Sequence, residues 1–372
     1  EDKMSEKTYK PGNYPDLPPP PGTVGVYGWI RQNLFSSISN SLLTIISVVL
    51  LYYLIDGIIG WFFLNAVFDA DSKIACRKID DGACWAVITR RVGQFVYGFY
   101  PEAERWRIDI TFLTMFVAFA PLLYPDIPKR KWLLYFSVFY PFFAFVLIMG
   151  GYFGLQKIEY SLFGGFMLTV ILGVCGIVCS LPLGILLALG RQSNLTVVRT
   201  LSVCFIEFMR GVPLITLLFV ASSMLNYFLP PGTNFSILVR VIIMFTFFSA
   251  AYIAEVIRGG IQAIPTGQYE AADALGMNYW QKTRFITLPQ ALKISIPGIV
   301  NTFIGLYKDT TLVVVIGLLD PLGIGRAALA DTKWNGLSTE TYLFVALFFF
   351  VSCFAMSRYS LWLENKLNTD KK

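Results

Sequence analysis

Eight apolar stretches run through the sequence, and they constrain its fold more than any other feature. They lie near residues 38–64, 108–124, 132–150, 164–189, 212–229, 237–257, 294–318 and 341–362. Most have about the 20 residues that a helix needs to cross the roughly 30 Å hydrocarbon core of a bilayer. Hydrophobic residues make up 55% of the chain and charged residues only 15%, so lipid must cover much of its surface. The sequence therefore predicts an all-α integral membrane protein with about eight transmembrane helices.

The sequence contains no histidine. This excludes a Ser-His-Asp triad, a Cys-His dyad and a histidine-bound zinc site. A Gly-x-x-x-x-Gly-Lys-[Ser/Thr] loop is also missing, so the chain is not expected to bind ATP itself. We predict a non-catalytic protein with no catalytic residues, no metal and no cofactor of its own. Despite the net charge of +6, we predict membrane lipid and no nucleic acid as a partner.

Residues 1–35 are predicted to form a polar cytoplasmic tail followed by a short interfacial helix. The proline-rich run 15–21 is typical of an extended polyproline II segment. From Tyr27 to Phe35, apolar residues lie opposite polar ones, which predicts a helix at the membrane surface. The apolar region of a signal peptide is not visible in residues 1–30.

Lysine and arginine in the loops indicate the orientation, because they are enriched on the cytoplasmic side of a membrane. Placing both termini in the cytoplasm puts most of these residues inside. The first outer loop, about 69–107, is an exception, since long loops follow the rule poorly. Its seven basic residues are Lys73, Arg77, Lys78, Arg90, Arg91, Arg105 and Arg107. We therefore predict that both termini are cytoplasmic.

The same outer loop contains Cys76 and Cys84. Disulfides persist outside the cytoplasm, and the turn-forming residues Asp81 and Gly82 lie between the two cysteines. A disulfide is one interpretation, and two unpaired thiols in a packed region are the other.

Residues 259–293, which we call the cytoplasmic segment, form an unusually long connection on the predicted inner side. Within it, residues 268–275 are strong helix formers. Gly276 is predicted to terminate this helix as a C-cap. Asn278 is predicted to cap a second helix over 279–287. The pattern indicates two short helices, joined at a glycine, that stand off the membrane.

The cytoplasmic segment resembles the EAA loop of ABC importer permeases. The residues that carry this resemblance are Glu270, Ala271, Ala272, Gly276, Leu288 and Pro289. Flanking residues are similar to the polar amino-acid branch of the family, with Val212 and Thr311 as mild departures. These flanks are Glu207 to Leu214, Ala251 to Ile261, Pro297, Asn301 and Lys308 to Leu312. In that family the loop is a coupling helix that sits in a groove of the ATP-hydrolysing subunit.

The resemblance implies an architecture and a set of partners. Five C-terminal spans within 161–372 would form a type I importer permease core. Residues 36–160 would add three transmembrane helices, as in the M-type subunit of general L-amino-acid importers of the Aap/Bzt kind. The implied partners are a second homologous permease subunit, a dimer of ATPase subunits that binds ATP and Mg, and a periplasmic amino-acid-binding protein. The implied location is the bacterial inner membrane, where the importer would move L-amino acids by alternating access.

Charged residues near the spans are candidates for a substrate path or gate, because such residues are costly in a membrane. Glu207 and Arg210 are three residues apart, as are Glu255 and Arg258. They are either local ion pairs that orient helix ends or the lining of an inner gate.

Lys308, Asp309 and Thr310 are predicted to lie deep in the seventh stretch. A buried Lys–Asp pair followed by threonines suggests a broken helix that faces a cavity. The three residues either line the translocation path or mark a purely structural break.

Two other classes of protein remain as alternatives. An ion-coupled secondary amino-acid transporter would need no ATPase and would usually show an internal repeat, which this sequence lacks. A membrane enzyme would need a polar catalytic cluster, and none is evident.

Overall fold

The computed structural model describes residues 25–367 except 80, 125, 225–226, 228–229 and 231–234. The predicted proline-rich tail therefore lies outside the described residues. Within them the chain is predominantly helical. The described residues form β-type backbone pairs only as isolated bridges, such as the one between Gly164 and Leu319. The α-helices are α1 (Gly25–Asn33), α2 (Ile38–Ile59), α3 (Lys73–Ile79), α4 (Ala86–Tyr97), α5 (Arg105–Leu123), α6 (Arg130–Met149), α7 (Gly165–Arg191), α8 (Thr196–Gly211), α9 (Leu214–Phe219), α10 (Ile237–Gln262), α11 (Thr266–Ala274), α12 (Tyr279–Lys282), α13 (Leu288–Asp309), α14 (Pro321–Ala330) and α15 (Ser338–Leu367).

Seven helical segments of the described chain are long and apolar enough to cross a membrane, and the count becomes eight if one bent pair forms a single span. The seven are Ile38–Leu64, Glu102–Leu123, Arg130–Met149, Gly165–Arg191, Ile237–Gln262, Tyr279–Ile316 and Ser338–Leu367. This result confirms the predicted all-α membrane architecture.

The fifth predicted span, 212–229, differs from the structure. Its described residues belong to a bent pair, in which α8 and the segment Leu214–Met224 meet at 102°. Pro213 explains the break, because it has no N–H and it disfavours helical geometry in the residue before it. Val212 is accordingly extended, with φ −103° and ψ 132°. The described part of the predicted span, Leu214–Met224, therefore follows an amphipathic helix at a sharp angle.

The contacts divide the chain into two compact units, residues 1–67 with 77–83 and residues 68–76 with 84–372. In the first unit, α2 continues into a π-helical turn at Gly60–Leu64. None of the residues of α2 is buried, and the helix is apolar on all sides, as expected for one that faces lipid. The sequence-based division at residues 35 and 160 stays a prediction.

The second unit is organised around α7, α10 and α13. Close approach of these helices depends on small residues. A Cβ on Gly184 of α7 would lie 2.6 Å from Cγ2 of Ile253 on α10, and a Cβ on Gly173 would lie 2.8 Å from the Tyr307 ring on α13. Gly184 therefore lets α7 pack directly against α10, and Gly173 lets it pack directly against α13.

Outside this helical core, Cys76 and Cys84 are joined by a disulfide, with their Cα atoms 5.8 Å apart. Both cysteines are buried. The backbone N–H of Cys84 donates to Oε1 of Glu340 at 3.2 Å, and Glu340 itself is only 2% exposed. These contacts attach the bridged part of the second unit to the beginning of α15.

Asp320, just before α14, is a buried carboxyl group that caps the helix by accepting a bond from the Gly323 N–H at 2.9 Å. Its second oxygen, Oδ2, has no hydrogen-bond partner. Burial raises the pKa of Asp320 to about 6, against the smaller lowering effect of the Gly323 N–H. The protonated form is therefore favoured by folding.

We expect Asp320 to lower stability as the pH rises. Because its folded pKa exceeds its unfolded value of about 4, its stabilising contribution is complete below pH 4 and is lost as the pH rises through 6. The loss is on the order of 2–3 kcal/mol. Asp320→Asn keeps the capping oxygen and should flatten the difference in melting temperature between pH 5 and pH 8.

Asp331→Asn is the matched control for this pH dependence. The Lys333 N–H, followed by the Arg91 guanidinium, holds the pKa of Asp331 below its usual range. The stabilising contribution of Asp331 is therefore present at neutral pH and lost in acid. This pH dependence is opposite to that expected for Asp320. An unchanged pH profile in Asp320→Asn would contradict a buried, proton-binding Asp320.

Candidate functional site

The cytoplasmic segment folds as two short helices around Gly276. The first, α11, ends at Ala274, and Gly276 adopts a left-handed conformation with φ +70°. The Gly276 N–H donates to the Asp273 carbonyl at 2.9 Å, and the Met277 N–H donates to the Ala272 carbonyl at 3.1 Å. This is the Schellman arrangement that glycine favours at helix ends, with Gly276 one residue beyond the capping Leu275.

The second helix, α12, begins with a capping box. Oδ1 of Asn278 accepts from the Gln281 N–H at 2.9 Å, and Oε1 of Gln281 accepts from the Asn278 N–H at 3.0 Å. Lys282 then contacts Asp273 of α11 at 2.5 Å, which ties the two helices together. The bend at Gly276 is therefore held by contacts on both sides.

Much of the surface of the cytoplasmic segment is not covered by the rest of the chain. Glu270, Ala271 and Gly276 are exposed, while Ala272 is buried against the rest of the chain. A Cβ on Gly276 would meet no heavy atom within 4 Å. Large apolar side chains are also exposed here, including Trp280 at 73%. Such a surface can accept another protein at close range.

Leu288 and Pro289 lie at the beginning of α13 and do not redirect the chain. A π-helical turn over Thr283–Thr287 leads from α12 directly into α13, and Pro289 is its second residue. Proline is tolerated at this point, because the first turn of an α-helix has no intrahelical partner for its N–H. Leu288 is half-buried and Pro289 is exposed.

A cluster of charged residues lies where α7, α8 and α10 approach each other. Glu255 is its centre, with a side chain only 14% exposed. It contacts Arg191 at 2.9 Å, Arg258 at 2.9 Å and Arg210 at 3.6 Å. Glu207 contacts Arg191 at 2.7 Å. The half-buried carboxylate of Glu255 therefore contacts arginines from three helices.

This arrangement corrects the predicted pairing of Glu207 with Arg210. The Glu255–Arg258 pair is present, but Glu207 and Arg210 each reach residues of a different helix. Arg210 also lies 5.6 Å from the centre of the Tyr252 ring. Arg191 was not predicted as a site residue. It lies at the end of α7, where a basic residue is expected on the cytoplasmic side of any span.

Lys308, Asp309 and Thr310 lie where α13 gives way to a 3₁₀ helix over Thr310–Ile316. Lys308 is exposed and Asp309 half-buried, so the expected buried Lys–Asp pair is not present. Neighbouring residues of a helix point about 100° apart, which separates their side chains. Thr310 is fully buried and donates to the Tyr307 carbonyl at 2.7 Å.

A cavity of about 310 Å³ lies between α10 and α13 beside Asp309. Its polar lining includes Ser249, Asn301 and Thr302. Ser249 is 1% exposed, and its Oγ has no hydrogen-bond partner. Tyr252, which contacts Arg210 of the charge cluster, lines the same cavity. The cavity can hold a small polar molecule against a carboxylate.

Residues 180–369 match the family described as binding-protein-dependent transport system inner membrane component. The chain belongs to this family. It is a multi-pass inner-membrane protein of ABC importers, and its role is transport rather than catalysis. Permeases of such importers work with an ATPase and a substrate-binding protein.

The chain is similar to two curated relatives over nearly its full length. The glutamate/glutamine/aspartate/asparagine transport system permease protein BztC of Rhodobacter capsulatus is 45% identical, over 95% of this chain and 96% of the relative. The inner membrane amino-acid ABC transporter permease protein YhdY of Escherichia coli K12 is 48% identical, over 92% and 93%. A crystal structure of an amino acid ABC transporter with histidines is 30% identical with a TM-score of 0.48, covering 54% of this chain and 91% of that one.

Proposed function

We propose that the chain is the permease subunit of an ATP-driven importer that moves L-amino acids inward by alternating access. The observation that carries this proposal is the uncovered surface around Gly276, framed by two helices whose bend is fixed by hydrogen bonds. Near-full-length relatives named as amino-acid permeases support the substrate class. An ion-coupled secondary transporter has no observation in its favour.

The cytoplasmic segment is the docking site for the ATPase. Glu270, Ala271 and Gly276 provide its contact surface, and Ala272 anchors α11 to the permease. Leu288 and Pro289 begin α13, so a push on α12 passes through the π-helical turn into that helix. ATP and Mg are bound by the ATPase dimer, and the described residues of this chain hold no group suited to a metal.

The remaining partners and the orientation follow from this assignment. One chain provides one cytoplasmic segment, so a second, homologous permease subunit is needed to engage the second ATPase. The ATPase side is cytoplasmic, which places both termini in the cytoplasm and the connection between α14 and α15 outside. Residues 161–372 then form the permease core, and residues 36–160 are an addition to it.

The cavity beside Asp309 is part of the translocation path. A free amino acid carries an ammonium group, which a carboxylate binds, and a carboxylate, which hydroxyl and amide donors bind. Asp309 supplies the first, and Ser249 and Asn301 supply the second, since the Thr302 hydroxyl already donates to the Gly298 carbonyl. The volume of about 310 Å³ suits a small ligand. Lys308 and Thr310 flank the path, Thr310 by holding the helix break in place.

The charge cluster is the inner gate, because it joins three helices at their cytoplasmic ends through Glu255. Glu207, Arg210, Glu255 and Arg258 belong to it, together with Arg191. Opening the path inward would separate these helices and break the shared contacts. Alternating access therefore exchanges one set of ion pairs for another.

Glu255→Gln is expected to lower uptake about tenfold, because the arginines lose the carboxylate that they share and repel one another. Glu207→Gln is the matched control, since its side chain is 54% exposed and contacts Arg191 alone. Uptake by membrane vesicles, normalised to chain content, measures both. Equal effects of the two substitutions would contradict a central role for Glu255.

Gentle purification of the chain tests the proposed function. We expect an ATPase, a second permease and this chain to elute together in fixed proportions. A homodimer without an ATPase, active in transport, would overturn the proposal.

A further inference from the structure

The connection between α6 and α7 begins with a loop that presents two aromatic side chains, and we call residues 150–156 the aromatic loop. Phe153 is 94% exposed and Tyr152 is 55% exposed. The loop belongs to the second unit, but it lies outside residues 180–369, which match the family. The rest of the chain therefore leaves the Phe153 ring uncovered, and another molecule can contact it.

The aromatic loop has a defined conformation that holds Phe153 at its tip. Phe153 adopts a left-handed backbone with φ +53°, which is uncommon for a bulky residue. Within the loop, the Gly151 N–H donates to the Leu155 carbonyl at 2.9 Å. At its base, the Ile158 N–H donates to the Met149 carbonyl at 2.8 Å. The exposure of Phe153 is therefore built into the fold of the loop.

Arg107 attaches the aromatic loop to the beginning of α5. Its side chain is only 1% exposed, and it donates to the Gln156 carbonyl at 2.8 Å and pairs with Glu104 at 2.6 Å. The neighbouring Trp106 is a further exposed aromatic residue at this end of α5. Because α5 and α6 also pack against each other, a contact made by the loop holds the same end of both helices.

The depth of the aromatic loop in the membrane follows from the length of α6. The 20 residues Arg130–Met149 extend about 30 Å at 1.5 Å per residue, which matches the hydrocarbon core of a bilayer. The basic residues Lys129, Arg130 and Lys131 place the first end of α6 at the headgroups of one leaflet. Met149 therefore lies at the opposite edge of the hydrocarbon, and the aromatic loop begins with the next residue.

The composition of the aromatic loop is typical of a segment that meets lipid. No charged residue occurs between Lys131 and Lys157 in the sequence. Aromatic side chains are enriched where the hydrocarbon meets the headgroups, and an apolar ring gains there by leaving water. A protein-docking surface would surround such a ring with a polar and charged rim. The position and the chemistry of the loop therefore favour lipid over a protein partner.

We propose that the aromatic loop inserts Phe153 into the lipid leaflet opposite to Lys129–Lys131 and anchors the paired ends of α5 and α6 there. Tyr152 and Gly154 stay among the headgroups, where polar and charged side chains are tolerated. In the proposed orientation this leaflet is the outer one. The insertion itself requires only that α6 spans the bilayer, so its failure would leave the proposed function untouched.

The test uses the complete importer in liposomes, with an environment-sensitive fluorescent amino acid in place of Phe153. Asn335 is the matched control position, since it is exposed on the connection between α14 and α15 but has charged and polar neighbours. With lipids that carry a nitroxide near the headgroup end of the acyl chain, we expect about threefold stronger quenching at position 153 than at position 335. Equal quenching at the two positions would overturn the proposal.

Phe153→Asn tests the ring and preserves the backbone, because asparagine accepts the left-handed conformation. With the fluorescent amino acid moved to position 152, we expect quenching to fall about twofold in Phe153→Asn and to be retained in Phe153→Trp. An equal signal in both variants and in the unaltered loop would contradict insertion by the Phe153 ring.

A photo-crosslinker at position 153 identifies the molecule that the ring contacts. We expect capture of phospholipid, seen as an increase in the mass of this chain. Capture of the binding protein, of the second permease subunit or of another importer complex in place of lipid would overturn the proposal.

Discussion

Gly276→Asp is expected to reduce ATP-driven uptake by about 100-fold, which corresponds to roughly 3 kcal/mol. Folding should tolerate the change, because a Cβ at this position meets no heavy atom within 4 Å and aspartate enters the left-handed region at modest cost. The carboxylate would project into the surface that the ATPase contacts and would be buried there without a partner. ATP hydrolysis by the assembled importer would then no longer drive transport.

Two controls separate docking from backbone strain. Gly276→Asn has the same shape and no charge, so it should retain more uptake than Gly276→Asp. Gly154→Asp places the same residue at a similar backbone angle, φ +79°, and also meets no heavy atom within 4 Å, but lies on the connection after α6. Normal uptake by Gly276→Asp at a normal chain level would contradict docking at this surface.

Asp309→Asn is expected to reduce uptake by about 100-fold and to leave the importer assembled. The amide keeps the size of the side chain but cannot pair with the ammonium group of an amino acid as a carboxylate does. Uptake at rising amino-acid concentration, with binding protein in excess, measures the loss. Lys308→Met should have a much smaller effect, because Lys308 is exposed and does not line the cavity.

A purely structural break would behave differently. Thr310→Val removes the hydrogen bond to the Tyr307 carbonyl and tests the break without touching the cavity charge. If Asp309→Asn and Thr310→Val lowered the amount of assembled importer equally, the role of Asp309 would be structural. Unchanged uptake after replacing Lys308 by Met and Asp309 by Leu together would exclude both residues from the path.

Local rules predicted the cytoplasmic segment well. The left-handed Gly276 and the capping Asn278 depend on interactions within a few residues, which sequence spacing reveals. The positions of most spans were equally predictable from the sequence, because a span needs an apolar stretch long enough to match the thickness of the bilayer. The bend at Pro213 was missed, since apolar content alone does not distinguish a straight span from two helices at 102°.

Contacts between helices were much harder to predict. Glu207 and Arg210 have the spacing of an intrahelical pair, yet Arg191 and Glu255 on neighbouring helices bind them. Residue spacing reports only on neighbours within one helix, so a carboxylate shared by three helices leaves no sequence pattern. The disulfide remained one of two interpretations for the same reason, since its geometry depends on the intervening turn.

Transport by the reconstituted importer tests the central claim most directly. Proteoliposomes would contain this chain, its permease partner and the ATPase, with ATP sealed on the ATPase side and binding protein with labelled amino acid on the other. We predict uptake that requires ATP hydrolysis and stops with an ATPase variant that binds but cannot hydrolyse ATP. Uptake driven by an ion gradient in the absence of the ATPase would contradict it.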